Sequence, residues 1–407
     1  MPTIDSVDGV QLAGGADVNP RMREVFGRRY PDRPVYESAE AICKDPNLDA
    51  IWVSTPNKFH AEGAIEAMRN DKHVAVEKPM AVTVEDADRM VDASEKYGVA
   101  LIAAHTSSYG IPIRVMRRLA LSDELQGFRH VLMWSFMDWM LRARTPEELS
   151  LEAGAGIVHR QAPHQVDVLR LLGGGKLRRV SGTTGQWMPE RAIPGFFTGF
   201  FEFENGTSAT TVLNGYGYFM AGELFEGAPI NWRYNDEDRL RIRQELAAGT
   251  RNEQSEKEAF RIGGKFDPTQ RIPDPDRSAW FPTDLGMTVV SCTRGVLRHA
   301  KHGVYVYSDN GKREIDLRSM EHRARDLEGG ATIGALTELR AAAFDGLTPH
   351  HSGAWGRATL EATLALIQSA HERREVMLHR QVELRPDYDS ELLSAVEPES
   401  APVRSTS

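Results

Sequence analysis

The first 105 residues alternate short, almost continuously apolar runs with amphipathic stretches, and this alternation restricts the fold more than any other feature. The apolar runs lie at 10–16, 50–54, 73–77 and 100–104. Runs of this kind suit strands buried on both faces, as in a parallel sheet. Helical patterns fill 37–44, 59–70 and 84–97. The last is bounded by Thr83, with Asp86 three residues on, and by Gly98 just past its end. These are start and stop signals for a helix. Strand–helix alternation predicts a doubly wound, Rossmann-like α/β layer.

The texture changes near residue 106. A helix is expected at 112–122, a strand at 128–137, and a helix at 158–172 that stops at Gly173-Gly174-Gly175. Two hairpins follow. One places 197–204 and 207–214 around Asn205-Gly206, the other 304–308 and 313–317 around Asp309-Asn310-Gly311. Asn-Gly between strand-like runs signals a tight turn, because both positions tolerate positive φ. The region 106–380 therefore reads as an α+β domain built on an antiparallel sheet, after a parallel α/β domain at 1–105. Residues 233–261 are charge-dense and read as one exposed helix. Pro268, Pro273, Pro275 and Pro282 mark an irregular loop at 264–284. Together they form an insertion at about 218–285, expected to be a lid or a subunit contact. Helices return at 332–345 and 355–374, and the polar stretch 381–407 is expected to be disordered.

Composition narrows the function. Among 407 residues, 49 Lys and Arg face 58 Asp and Glu, a net charge of −9. That argues against a nucleic-acid binder or a polybasic membrane-surface protein. No run approaches the roughly 20 apolar residues of a membrane span. The opening Met1–Val10 stretch lacks a signal-peptide pattern. Two cysteines, Cys43 and Cys292, exclude a disulfide framework and a cysteine-rich zinc site. A reducing, cytoplasmic setting is expected. The Asn205-Gly206-Thr207 sequon means nothing without secretion.

Four constellations carry chemistry. Asp17 ends the first apolar run, where dinucleotide folds place an acid for the adenosine ribose; a turn or helix cap is the plainer use. Ser54-Thr55-Pro56-Asn57 closes a strand, with His60 three residues later, at the sheet edge where ligands bind in open α/β folds. Glu77-Lys78-Pro79 closes another strand; a lysine there can polarise a substrate hydroxyl and take or give its proton. In the stretch from Gly154 to Asp167, Arg160, His164 and Asp167 fall on one helical face. His164 oriented by Asp167 suits acid–base work. Two ligands are too few for a metal, so none is expected.

In this order the motifs resemble the Gfo/Idh/MocA oxidoreductase family, most closely its phthalate 4,5-cis-dihydrodiol dehydrogenase-like branch. The resemblance covers about 10–215 well and the C-terminal helices more loosely. It implies NAD as cofactor, with NADP open because Arg21 and Arg23 stand near Asp17. It implies that Asp17 binds the ribose and that Thr55, Pro56, Asn57, His60, Glu77 and Lys78 line the cofactor cleft. Lys78 and His164 would be the catalytic pair. His105 and Tyr109 are candidate substrate contacts, with helix-start packing the alternative. The resemblance also implies a homo-oligomer formed through the C-terminal sheet.

The sequence departs from the family twice. Arg160 stands where many members carry an Asp. An arginine cannot act as acid or base near neutral pH but can pair bidentately with a carboxylate. Arg160 is therefore expected to anchor a substrate carboxylate, with Asp167 beside it. The Gly-x-Gly-x-x-Gly turn that holds the diphosphate is missing. The expectation is that the reading frame starts upstream of Met1, or else that this is a truncated relative. The expected activity is NAD(P)-dependent hydride exchange with a secondary alcohol or cis-dihydrodiol of a small carboxylated ring. A sugar or polyol dehydrogenase and a non-catalytic sensor or scaffold are the alternatives.

Overall fold

In the computed structural model, which describes residues 4–105, 107–224, 234–261, 285–300, 302–317 and 330–388, the expected parallel layer is present in two pieces. The first pairs β1 (Gly15–Ala16) with β2 (Val35–Tyr36) in parallel, on either side of α1 (Pro20–Arg29). The strand expected at 10–16 is thus reduced to its last two residues. A two-stranded ribbon is marginal, and β1 has β2 as its one ladder partner. Upstream, Leu12 donates its N–H to Asp5 Oδ1 at 2.8 Å instead. Helix α1 was not legible because it buries no residue; Asn19 caps it and Pro20 opens it.

After α2 (Ala39–Cys43) comes the second piece, a parallel sheet of β3 (Ala50–Val53), β4 (His73–Glu77) and β5 (Leu101–Ala104). Helices α3 (His60–Arg69) and α4 (Val84–Tyr97) connect its strands. Helix α4 matches the sequence reading at both ends. Thr83 Oγ1 accepts from Asp86 N at 3.1 Å, and Gly98 takes the left-handed conformation at φ 66°. All four residues of β5 are buried, which is why the run has no polar alternation. Cys43 and Cys292 are buried free thiols.

The second half follows α5 (Ile111–Ala120) with β6 (Phe128–Phe136), α6 (Ile157–Gly173), β7 (Leu177–Gly185), β8 (Phe196–Phe203) and β9 (Ser208–Asn214). Next come α7 (Asp236–Ala247) and α8 (Glu253–Arg261), then β10 (Met287–Cys292), β11 (Gly295–Ala300), β12 (Gly303–Ser308) and β13 (Gly311–Asp316). The chain ends in α9 (Gly330–Phe344), α10 (Gly353–Glu372) and β14 (Val376–Met377). One nine-stranded sheet results, in the order β13-β12-β11-β10-β6-β9-β8-β7-β14. Both hairpins form as read. The sheet is not wholly antiparallel, because β6 and β9 pair in parallel at its middle.

The charge-dense stretch is two helices rather than one, broken at Gly249 with φ 65°. Nor is it simply exposed: Asp238, Arg239 and Ile242 are buried. The proline-rich loop 264–284 and most of the tail lie outside the described residues. Helix α10 packs tightly between the two sheets; a Cβ on Gly356 would stand 2.4 Å from Ala103 Cβ. No described helix is long and apolar enough to cross a membrane.

Candidate active site

Two strand ends and one helix start converge. Strand β3 ends at Val53 and runs into Thr55, Pro56 and Asn57; β4 ends at Glu77 and runs into Lys78 and Pro79, joined by a cis peptide. His60, 1% exposed at the start of α3, ties the two loops together. Its Nε2 lies 2.7 Å from Thr55 O and its Nδ1 2.8 Å from Pro79 O. Burial lowers its pKa, against the two carbonyls and Glu77. His60 is therefore a clamp beneath the cleft. Glu77 accepts from Trp52 Nε1 at 3.3 Å. Lys78 Nζ reaches across to α6 and donates to Arg160 O at 3.0 Å. Two glycines precede α6, Gly154 at φ 74° and Gly156 at φ 96°. At Gly154 it is the positive φ rather than space that favours glycine, since Asn57 Nδ2 would lie 3.6 Å from a Cβ there, an ordinary contact.

These parts border a cavity of about 190 Å³, lined by Asn57, Lys78, Pro79, Trp139, Arg142, Arg144, Glu148, Arg160, Gln161 and Lys257. Five of these are cationic and one acidic. Glu148 accepts from Arg160 Nη1 at 3.1 Å and pairs with Lys257 Nζ at 2.9 Å. Burial opposes its ionisation, but the Thr145 N–H, Lys257 and Arg160 prevail and hold its carboxyl down to about 2. Arg144 lies 3.9 Å above the Trp139 ring and donates to Trp139 O at 2.9 Å. Burial, and then Arg142, push its guanidinium below its ordinary value, against Glu148.

The other expected residues fall outside the cavity lining. His164 is buried, with Nδ1 3.2 Å from Ser107 Oγ. Asp167 was expected to orient it, but its Oδ1 accepts from Trp355 Nε1 at 2.6 Å and its Oδ2 makes no hydrogen bond. Asp167 shares a helix face with His164, but its carboxylate is taken by Trp355, which projects from α10. His105 is buried with neither ring nitrogen bonded, and burial lowers its pKa to about 4. Tyr109 is buried, and its hydroxyl donates to Glu338, which also accepts from His351 Nδ1 at 3.0 Å. The Tyr109 ring packs against His351, with centroids 4.3 Å apart.

A dinucleotide meets suitable groups at two of its parts. At one end, Asn57 Nδ2 is a buried donor without a partner, beside Lys78. At the other, Asp17 follows β1 with its carboxylate exposed, accepting from Asn19 N at 2.7 Å. Arg23 Nη1 donates to Asp17 O and Val18 O at 2.9 and 3.1 Å, so it braces this loop. The diphosphate finds no glycine-rich turn in residues 1–105. Among the described residues, no cluster of His, Cys, Asp or Glu is arranged to hold a metal ion.

Arg142, Arg144, Glu148, Trp139 and Lys257 were missed by sequence reading. A signal existed in Trp139-Met140-Leu141-Arg142-Ala143-Arg144, where arginines punctuate an apolar segment. Lys257 had none, being one cation among many in α8.

Residues 1–105 match the oxidoreductase family with an NAD-binding Rossmann fold, and residues 113–221 match the GFO/IDH/MocA C-terminal domain. The chain is 29% identical to 1-carboxy-3-chloro-3,4-dihydroxycyclohexa-1,5-diene dehydrogenase of Comamonas testosteroni, over 90% of each chain. A crystal structure of a proposed dehydrogenase from Bordetella bronchiseptica RB50 superposes with TM-score 0.79 at 26% identity, covering 93% of this chain and 95% of that one. Levoglucosan dehydrogenase in complex with NADH and levoglucosan shares the fold, with TM-score 0.68 at 17% identity over 91% of each chain. The chain belongs to the Gfo/Idh/MocA oxidoreductase family and carries its NAD-binding Rossmann domain.

Proposed function

We propose that this member of the Gfo/Idh/MocA family oxidises a secondary alcohol of a small carboxylated ring, a cis-dihydrodiol being the best fit. One observation carries the reading: Lys78 borders a cavity whose lining holds four further cationic side chains and one acid. A lysine at a strand end supplies a proton acceptor, and the surplus of cations suits an anionic substrate. The Comamonas testosteroni relative is named for a carboxylated ring bearing two hydroxyls. A neutral sugar would leave this charge unanswered.

A nicotinamide held beside Asn57 and Lys78 would supply the acceptor for the hydride of the carbinol carbon. The chain's own groups do the rest. Lys78, once deprotonated, takes the hydroxyl proton as the C–O bond gains double-bond character, and returns it to solvent afterwards. Arg160 O, 3.0 Å from Nζ, orients the amine. Asn57 Nδ2 supplies a donor at the same wall. His164, one turn along α6 from Arg160 and 3.2 Å from Ser107 Oγ, is the second acid–base group of this reading.

The test is NAD reduction followed at 340 nm, with cis-dihydrodiols of benzoate and phthalate set against benzene cis-dihydrodiol and neutral sugars. Turnover of the carboxylated diols, abolished in Lys78→Met, is the expected result. Turnover of neutral sugars alone replaces the substrate class. NAD binding without turnover of any alcohol overturns the reading.

A further inference from the structure

The cations of the cavity are not equivalent. Arg160 and Lys257 share Glu148, at 3.1 and 2.9 Å. Arg142 Nε lies 3.8 Å from Asp138. Lys78 is held on Arg160 O. Arg144 differs. It is 6% exposed, its Nη2 donates to Trp139 O at 2.9 Å, its Nε is buried without a hydrogen-bond partner as are those of Arg142 and Arg160, and, unlike them, it has no acid within ion-pairing distance among the described residues. Two other deeply buried arginines show what a structural role looks like. Arg170 spends its guanidinium on Gly175 O, Trp355 O, Thr359 Oγ1 and Val382 O. Arg191 pairs with both oxygens of Glu253 at 2.9 and 2.5 Å. A buried guanidinium without a counter-charge is costly, and such a group in a cleft points to a binding function.

We propose that Arg144, seated over Trp139, is the seat of the substrate's ring carboxylate and sets specificity for acids over neutral diols. Arg160, expected from the sequence to do this, is occupied by Glu148 and serves to hold that carboxylate out of the way. The inference rests on the dehydrogenase reading for the identity of the substrate, but the anion seat stands on geometry alone. A planar guanidinium matches a carboxylate through two parallel N–H donors. Trp139 holds it from one side, through its ring at 3.9 Å and its carbonyl at 2.9 Å, and the backbone N–H of Arg144 is pinned by Glu253 Oε1 at 3.0 Å. The arginine is therefore preorganised, so binding costs little ordering.

The test is calorimetric and independent of turnover. The whole chain is titrated with 3,4-dihydroxybenzoate and with catechol, which differ by the carboxylate. Wild type is expected to prefer the acid by roughly 10- to 100-fold, the range of one charged hydrogen-bonded contact. Arg144→Gln is expected to bind both equally, with catechol affinity unchanged. Arg144→Lys should restore part of the preference, which separates lost charge from lost folding. Arg160→Gln should keep the preference. An Arg144→Gln variant that still prefers the acid, or a wild type that does not distinguish the two, overturns the proposal. So does displacement of the acid by ADP, which would assign the arginine to the cofactor's phosphates. If the preference depends on Arg144 but no diol is oxidised, the anion seat stands and the dehydrogenase reading fails.

Discussion

Lys78 Nζ donates to the backbone carbonyl of Arg160 at 3.0 Å, joining the end of β4 to the first turn of α6. The contact fixes the amine at the border between the parallel layer and the helices of the second sheet. It also leaves the amine bordering the cavity. Nothing in the local sequence brings these residues together; 82 positions separate them.

Replacing Lys78 by Met should lower kcat by about 10²- to 10⁴-fold, the range of general acid–base contributions. The methionine keeps the apolar stem, so the thermal midpoint should move little. Lys78→Arg should not rescue, because a guanidinium cannot take the proton. Steady-state NAD reduction and a thermal melt of each variant check this. Activity within tenfold of wild type in Lys78→Met would remove Lys78 as the proton acceptor.

Acid should unfold the protein through its histidines before its carboxylates. Burial lowers His105, His159 and His299 to about 4 each; Arg160 adds to this at His159 and Arg298 at His299. The unfolded value is about 6.5. With the folded values depressed, the unfolded chain binds more protons, so stability is full above pH 6.5 and falls as pH drops toward 4. Each histidine contributes a slope of about 1.4 kcal/mol per pH unit inside that window. Urea unfolding at pH 7 and pH 5 should show the loss, and His299→Gln should reduce it. A flat profile from pH 7 to 5 would mean that these rings are charged in the folded state.

Much of this was legible in the sequence, for physical reasons that differ by element. Helix α4 was readable at both ends because its caps are local: Thr83 Oγ1 bonds three residues on, and Gly98 supplies the positive φ. The hairpins were readable because the Asn-Gly turns fix them. Asn57, Lys78 and Arg160 were found as separate motifs, and the cavity brings them together. What was not legible depends on partners far along the chain. Asp167 sits in a motif that suggests a partner for His164, yet Trp355, 188 residues away, claims it. Strand β1 is short because a strand's length is set by its neighbour. Arg144 matters because of what fails to pair with it, which only three dimensions reveal.

Glu148 is held at about 2 by Thr145 N–H, Lys257 and Arg160 against the cost of burial. Its folded pKa is depressed, so its contribution is present above pH 4.5 and lost as pH falls toward 2. Glu148→Gln should cost about 3 kcal/mol, the lower end for breaking a buried pair, because two cations lose their partner. It should also free Arg160 as a second anion site. The expected signature is lower stability in urea together with tighter binding of 3,4-dihydroxybenzoate. Weaker binding of that acid would mean that Glu148 itself contacts the ligand.

Helix α8 should control affinity rather than chemistry. It is anchored at its first residue, where Glu253 accepts from Arg191 at 2.9 and 2.5 Å and from Arg144 N at 3.0 Å. One turn later Lys257 reaches Glu148 and the cavity. Arg191 is 1% exposed, so Glu253→Gln leaves a buried cation without its counter-charge. The expected cost is about 3 kcal/mol in urea unfolding. Arg191→Met combined with Glu253→Gln should recover a large part of it, since removing both charges avoids the unpaired one. With α8 loosened, Arg144 loses its backbone anchor. KM for a carboxylated diol should rise several-fold while kcat stays within about twofold, because Lys78 is held from the other side by Arg160 O. Limited proteolysis should cut near Gly249 sooner in the single variant than in wild type. A fall in kcat at unchanged KM would instead place α8 in the chemical step.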